Sequence, residues 1–403
     1  MKVIYLILFA ILLSGSSVLA QKLSPLAKPP EWSKLEGFQN TITREEFLSL
    51  LQKVYAPHGG WEPYLEIREN EVIVKPHPGA SFTLQFTSPT GEKKKPARYW
   101  KAKAELGPAE PDKPLAGLRI ALDPGHLGGS WAKMEERWFK IGNTKPVAEG
   151  DMTLYVAKLL APRLQALGAK VYLTRGKAGP VTTLRPGKLR QTAAKELMSA
   201  GKSATPNELK RESELLFYRV GEIRQRAELI NEKIKPDLVL CLHFNAEEWG
   251  DDKHPKLTEV NHMHFLITGD FSAEELAHED QLYEMLIKLL NQSYPEEIGA
   301  TDAIARSMAT ETGLPPYEYK GANAVRVNDN PYVWGRNLLA SRLFECPVIF
   351  AEPYVMNSNE VFKRVEMGQY TGKRMIGAVM RESIFNEYVN GLVRGLVEYY
   401  SKR

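Results

Sequence analysis

Three apolar runs in this chain each stop on a side chain able to bind a metal or move a proton. The first, Leu118–Leu122, is cut off by Asp123-Pro124-Gly125, with His126 on the turn. Proline and glycine end a strand and turn the backbone sharply, so His126 is expected at the carboxyl end of a β-strand. The second run, Leu238–Leu242, ends in His243, and the third, Val348–Ala351, ends in Glu352. Open α/β sheets keep their ligand sites outside the carboxyl ends of the strands. The pattern therefore points to a sheet with its chemistry gathered on one edge.

The residues after the first run support that architecture. Asp151 is an expected helix N-cap, Leu154, Leu159, Leu160, Leu164 and Leu167 recur at helical spacing, and Gly168 fits the position just past the helix. Lys170–Thr174 then reads as the next strand. One such βαβ unit predicts a mostly parallel sheet flanked by helices, an α/β fold. Further elements are expected in a helix from Ser213 to Lys233 with Ser213 as its cap, and in a strand over His262–Ile267. An acidic amphipathic helix over Ser272–Asn291 and a last helix over Met375–Tyr400 complete the pattern.

The N-terminal part reads differently, as a small α+β module. Thr43 caps a helix reaching Tyr55, with Phe47, Leu50, Leu51 and Val54 on one face, and alternating strands come next over 64–67, 71–75 and 81–86. Pro108, Pro111 and Pro114 mark a stiff linker. The expected organisation is a signal peptide over 1–20, an accessory module and linker over 21–115, and a main domain over 116–403. The main domain carries a basic, proline-containing insertion at about 176–212.

Lys2, the apolar stretch Val3–Leu13 and the small residues of Ser14–Ala20 have the pattern of a cleaved secretory signal. An uncleaved anchor is the alternative. No other stretch is long and apolar enough to cross a bilayer, so the mature chain is expected in the periplasm, the cell wall or the medium, without a stable membrane span. The net charge of +4 is spread widely, which argues against a nucleic-acid partner. Cys241 and Cys346 are the only cysteines. They read as two buried thiols, with a disulfide left open.

His126, Glu149 and His243 together match a set that zinc hydrolases use, three protein ligands with a fourth position open to water. Glu149 precedes a helix start, and helices of βαβ units begin near the carboxyl edge of the sheet, so the three side chains are placed to converge. Glu352, on the same edge, is placed to accept a proton from water.

At these residues the chain resembles the zinc-dependent N-acetylmuramoyl-L-alanine amidases of the Amidase_3 family. Asp123-Pro-Gly-His126 with Gly128-Gly129 is similar to the first metal motif, and Glu149-Gly-Asp-Met-Thr-Leu154 to the glutamate motif. Leu167–Arg175 resembles the helix-to-strand segment that follows it, Arg226 with Asn231 and Pro236–Ala246 resemble the second histidine motif and the helix before it, and Pro347–Glu352 with Asn357 the segment of the catalytic glutamate. The resemblance runs from Leu118 to Tyr400. It implies zinc bound by His126, Glu149 and His243, and Glu352 as general base. The implied reaction is hydrolysis of the amide between N-acetylmuramic acid and L-alanine in peptidoglycan. A zinc peptidase or carboxypeptidase acting on stem peptides, or a non-catalytic wall-binding protein, are the rival readings.

The chain departs from the family pattern at Leu127, in the long loop to Glu149 with Trp131, Glu135, Glu136, Arg137, Trp138 and Phe139, at Pro353-Tyr354, and in the insertion. Glu135 is a spare ligand or, the favoured reading, a solvated charge. His262 and His264 share a strand face, read as an exposed edge rather than a second metal pair. Arg336-Asn337 fits either a substrate contact or a salt bridge at a helix start. The resemblance further implies a gate at the helix from Ser272, with Glu274, Glu275 or Glu279 covering the metal until a regulatory protein partner displaces them. An ordinary solvated helix is the favoured alternative.

Overall fold

Thr43 starts the first helix as its cap: its hydroxyl accepts the Glu46 N–H at 3.2 Å while the Glu46 carboxylate accepts the Thr43 N–H at 3.1 Å. This is α1 (Arg44–Leu50), continued by a π-type segment to Tyr55. β1 (Leu65–Ile67), β2 (Glu71–Val74) and β3 (Phe82–Gln85) form an antiparallel sheet in that order. These elements belong to a computed structural model that describes residues 22–250 and 254–403; the expected signal segment 1–20 lies outside the described residues.

The main part begins with β4 (Arg119–Pro124), a short hairpin of β5 (Trp138–Phe139) and β6 (Val147–Ala148), then α2 (Glu149–Ala166) and β7 (Lys170–Leu173). α3 (Arg190–Ser199), α4 (Pro206–Leu215) and α5 (Glu222–Glu228) precede β8 (Leu238–Leu242) and β9 (Met263–Thr268). Next come α6 (Ala273–Leu276), α7 (Glu279–Leu290), α8 (Tyr294–Thr312), β10 (Val325–Arg326), β11 (Val333–Arg336) and α9 (Leu339–Leu343). β12 (Val348–Pro353), α10 (Asn359–Glu366), a hairpin of β13 (Arg374–Ile376) and β14 (Val379–Arg381), and α11 (Ile384–Tyr400) complete the chain.

Seven strands make one sheet in the order β10-β11-β9-β12-β8-β4-β7. All neighbours are parallel except β10 with β11 and β12 with β9. The unbroken apolar runs are explained by burial on both faces. Ile120, Leu122, Leu240 and Ile349 pack with Leu160, Ile304, Leu392 and Leu396 from α2, α8 and α11. The alternate residues Ala121, Val239, Cys241, Val348 and Phe350 pack on the other face with Ala227, Ile230 and Phe344. Both cysteines are free and buried.

Several expected elements are corrected. Helix α2 begins at Glu149 and has no side-chain cap; the Asp151 carboxylate instead accepts the Gly129 N–H at 2.8 Å. Ser213 lies inside a helical rod that starts at Pro206, where Thr205 and Glu208 form a capping box, a stronger start signal than a lone serine. The last helix begins at Ile384, capped by Ser383, because residues 374–381 turn as a hairpin before it. The acidic helix breaks at Ala277-His278, while its apolar face is buried as its amphipathic spacing implies. Leu282, Met285, Leu286 and Leu289 are buried against Phe47, Leu51 and Val54 of the N-terminal module. β9 lies inside the sheet, and His262 and His264 are buried rather than exposed on an edge.

Candidate metal centre

Gly125 makes the first approach possible. A Cβ there would sit 2.3–2.6 Å from ring atoms of His243, so only glycine lets the β4 turn pass so near that imidazole. His126 comes next with φ of 60°, left-handed backbone that a non-glycine residue adopts only under constraint. Two buried arginines supply the constraint. Arg226 donates to the Pro124 carbonyl at 2.9 Å and the His126 carbonyl at 3.1 Å, and is itself held by Asp123 at 3.1 Å and Glu222 at 2.9 Å. Arg175 donates to the carbonyls of Pro124 and Gly125 at 3.0 Å and of Gly150 at 2.6 Å, tying the turn to the start of α2.

With the turn fixed, the ligand candidates meet. His126 Nε2 lies 3.1 Å from one oxygen of Glu149, and His243 Nδ1 lies 3.0 Å from the other. One donor atom from each of the three residues falls within 4.8 Å of the others. Tetrahedral zinc with bonds of about 2.0–2.1 Å separates its donors by about 3.3 Å. Two imidazole nitrogens and a carboxylate at this spacing thus fit a small divalent cation. The Glu149 carboxylate is buried and also accepts the Phe244 N–H at 3.1 Å. Phe350 stacks on His243 with ring centroids 5.5 Å apart, fixing the plane of the ring.

Glu135 is neither a ligand nor a solvated charge. It is buried, accepts the N–H groups of Leu127 (2.8 Å) and Gly128 (3.3 Å), and lies 3.6 Å from His126 Nδ1, the nitrogen turned away from Glu149. A carboxylate behind a ligating histidine orients the ring and raises its basicity. Leu127 is explained with it: its fully buried side chain joins Leu189, Ala193 and Phe217, so residues 189–217 pack against the loop that carries His126.

The electrostatics arise from burial and proximity. Burial opposes charge on His126, but Glu149 and Glu135 outweigh it and hold the imidazole pKa up to about 9. Burial likewise opposes charge on Glu149, yet His126 and His243 keep its pKa well below the usual glutamate range. Glu352 sits one strand over, 4.0 Å from His243 Nδ1. Burial raises its pKa, His243 pulls it back, and the negative Glu149 raises it again, for a net rise. A carboxylate tuned upward beside a cation site suits proton transfer near neutral pH.

A cleft of about 680 Å³ contains His126, Glu149, His243 and Glu352, and extends to Arg137, His264, Tyr319 and Arg336. Glu274, Glu275 and Glu279 are not among its walls. Glu275 closes the cap of α6, and Glu279 accepts the Trp32 indole N–H at 2.7 Å. Asn357 accepts the N–H of Glu247, the residue after the cleft-lining Ala246, at 2.9 Å. Sequence reasoning missed Tyr319 altogether: it lies in an irregular segment with no periodic pattern.

Residues 120–380 match the family model described as N-acetylmuramoyl-L-alanine amidase, Amidase_3. No curated protein sequence matches. Solved structures similar to this chain include the CwlD amidase of Clostridioides difficile in complex with the GerS lipoprotein, at 14% identity, covering 71% of this chain and 100% of that one, with a TM-score of 0.40. An N-acetylmuramyl-L-alanine amidase of Mycobacterium abscessus is 17% identical, covering 71% of this chain and 99% of its own, with a TM-score of 0.39. A further amidase, from Nostoc punctiforme, is 14% identical, covering 71% and 98%, with a TM-score of 0.37.

Proposed function

This chain belongs to the N-acetylmuramoyl-L-alanine amidase family and hydrolyses the amide between N-acetylmuramic acid and L-alanine in peptidoglycan; we propose that it does so outside the cytoplasm with zinc held by His126, Glu149 and His243. The observation that carries this reading is the convergence of those three donors within 4.8 Å, with the raised-pKa Glu352 beside them. Zinc held by these three residues would supply Lewis acidity toward the scissile carbonyl and would lower the pKa of water to about 7.

The chain's own groups do the rest. His126 yields its proton on loading, so that the ligand set is two neutral imidazoles and one carboxylate. Glu135 and the stacked Phe350 keep both rings in place. Glu352 takes a proton from the attacking water and returns it to the amine of the departing L-alanine. The segment Lys2–Ala20 directs export, and residues 21–115 act as a module that supports the catalytic part over 116–403.

Mass analysis of purified cell wall digested by the protein tests this reading. Free stem peptides beginning in L-alanine are expected. Cuts within the peptide would make it a peptidase, and wall binding without turnover a binding module. Glu352→Gln is expected to retain zinc and lose about 10²–10⁴-fold in rate, whereas His126→Ala loses the zinc itself, read by elemental analysis.

A further inference from the structure

Opposite Glu352 the antiparallel register places His264 of β9, on the same face of the sheet. The irregular segment after α8 docks on β9 through the Tyr317 N–H, which donates to the Met263 carbonyl at 3.0 Å. That contact brings Tyr319 over His264, with ring centroids 5.4 Å apart, and against Trp334 at 5.1 Å. The Tyr319 hydroxyl then has two nitrogen neighbours: His264 Nε2 at 3.1 Å and Arg336 Nη1 at 3.3 Å.

The protons on these groups can be assigned by elimination. A guanidinium only donates, so Arg336 uses one lone pair of the tyrosine oxygen. His264 is neutral, because burial and its neighbours His262 and Arg336 push its pKa down to about 3. Its Nδ1 is buried with no hydrogen-bond partner among the described residues. An orphaned buried N–H is rarer in proteins than an orphaned acceptor, so the single imidazole proton belongs on Nε2, donated to Tyr319. Both lone pairs of the hydroxyl are then occupied, and its own hydrogen has to point elsewhere. The side open to it is the cleft that Tyr319 shares with Glu352 and the three metal-ligand candidates.

We propose that Tyr319 is a further catalytic residue, its hydroxyl donating to the scissile carbonyl oxygen as negative charge develops there, and that His264 and Arg336 are positioning residues that aim the hydrogen. The inference rests on the amidase reading of this cleft. Burial keeps the phenol protonated, its pKa pushed up to about 12 despite Arg336, so the donor persists at every working pH. Two N–H groups donating to the oxygen also polarise the O–H and strengthen the bond it gives. A donor aimed in advance at developing charge needs no reorganisation during the reaction.

The test is steady-state kinetics on a soluble muramoyl peptide, with zinc content and melting temperature measured on each variant. Tyr319→Phe removes only the hydroxyl. Loss of one such donor is expected to lower kcat by about 10²-fold or more, with KM, zinc content and melting temperature little changed. His264→Leu frees the tyrosine to turn its hydrogen away and should lower kcat in the same direction. His264→Gln restores an N–H donor and should recover much of the loss, and neither His264 variant should slow Tyr319→Phe further. A wild-type protein that does not release stem peptides would sink the amidase reading itself. A wild type that does, beside a Tyr319→Phe variant within twofold in kcat or altered in KM alone, would overturn this assignment only.

Discussion

At His126 a single residue carries three demands: left-handed backbone, a nitrogen facing Glu149, and a second nitrogen facing Glu135. Holding such a backbone costs about 1–3 kcal/mol, offset by the bonds from Arg175 and Arg226 to the carbonyls around it. The candidate ligands His126 and His243 were readable from residue types at strand ends and Glu149 from its place at a helix start, because the ends of elements leave a local mark. Glu135 was not, since nothing local distinguishes a buried carboxylate from a solvated one in a polar loop. Its position behind His126 makes a direct prediction. Glu135→Gln removes the charge that orients the ring and should weaken zinc affinity by about 10–100-fold, seen as an earlier midpoint in a competitive chelator titration with the circular dichroism unchanged. An unaltered midpoint would mean that the ring is held by backbone contacts alone.

At the scale of elements, β9 is where sequence and structure diverge most. Alternation put His262 and His264 on one face correctly, but period two does not say what covers that face. Tyr317 covers it, with ring centroids 4.6 Å from His262 and 5.1 Å from His264. The consequence is a pH dependence of stability. His264 titrates near its ordinary 6.5 when unfolded and at about 3 when folded, so the unfolded chain binds the extra proton between those values. Its contribution to stability is complete above about pH 6.5 and is lost as pH falls toward 3. By pH 4 the loss from this one residue is of order 3 kcal/mol. Urea melts at pH 7 and pH 4 should therefore show a smaller drop for His264→Gln than for the wild type; equal drops would show that the folded protein accommodates the charged ring.

For the whole molecule, the N-terminal module and α7 share one core. Leu282, Met285, Leu286 and Leu289 of α7 are fully buried against Phe47, Leu51 and Val54. Uncovering the four α7 side chains forfeits about 1.5–3 kcal/mol each, comparable in sum with the roughly 5–15 kcal/mol that hold a typical protein folded. A chain truncated to 116–403 is accordingly expected to aggregate or to melt well below the full protein and bind a hydrophobic dye. An unchanged melting temperature would show that the two parts fold independently.

Strand ends, helix spacing and a turn that only proline and glycine make are local quantities, and from them the α/β sheet can be read and His126, Glu149, His243 and Glu352 singled out, four residues that the structure brings to one cleft. Contacts between segments far apart in the chain are not local. Which carboxylate stands behind His126, what lies over His264, where α7 finds its apolar partner and which hydroxyl shares the cleft with Glu352 were all decided by the way distant segments pack. Side-chain periodicity records that a face is buried, but the identity of its neighbour is set only when the chain closes on itself.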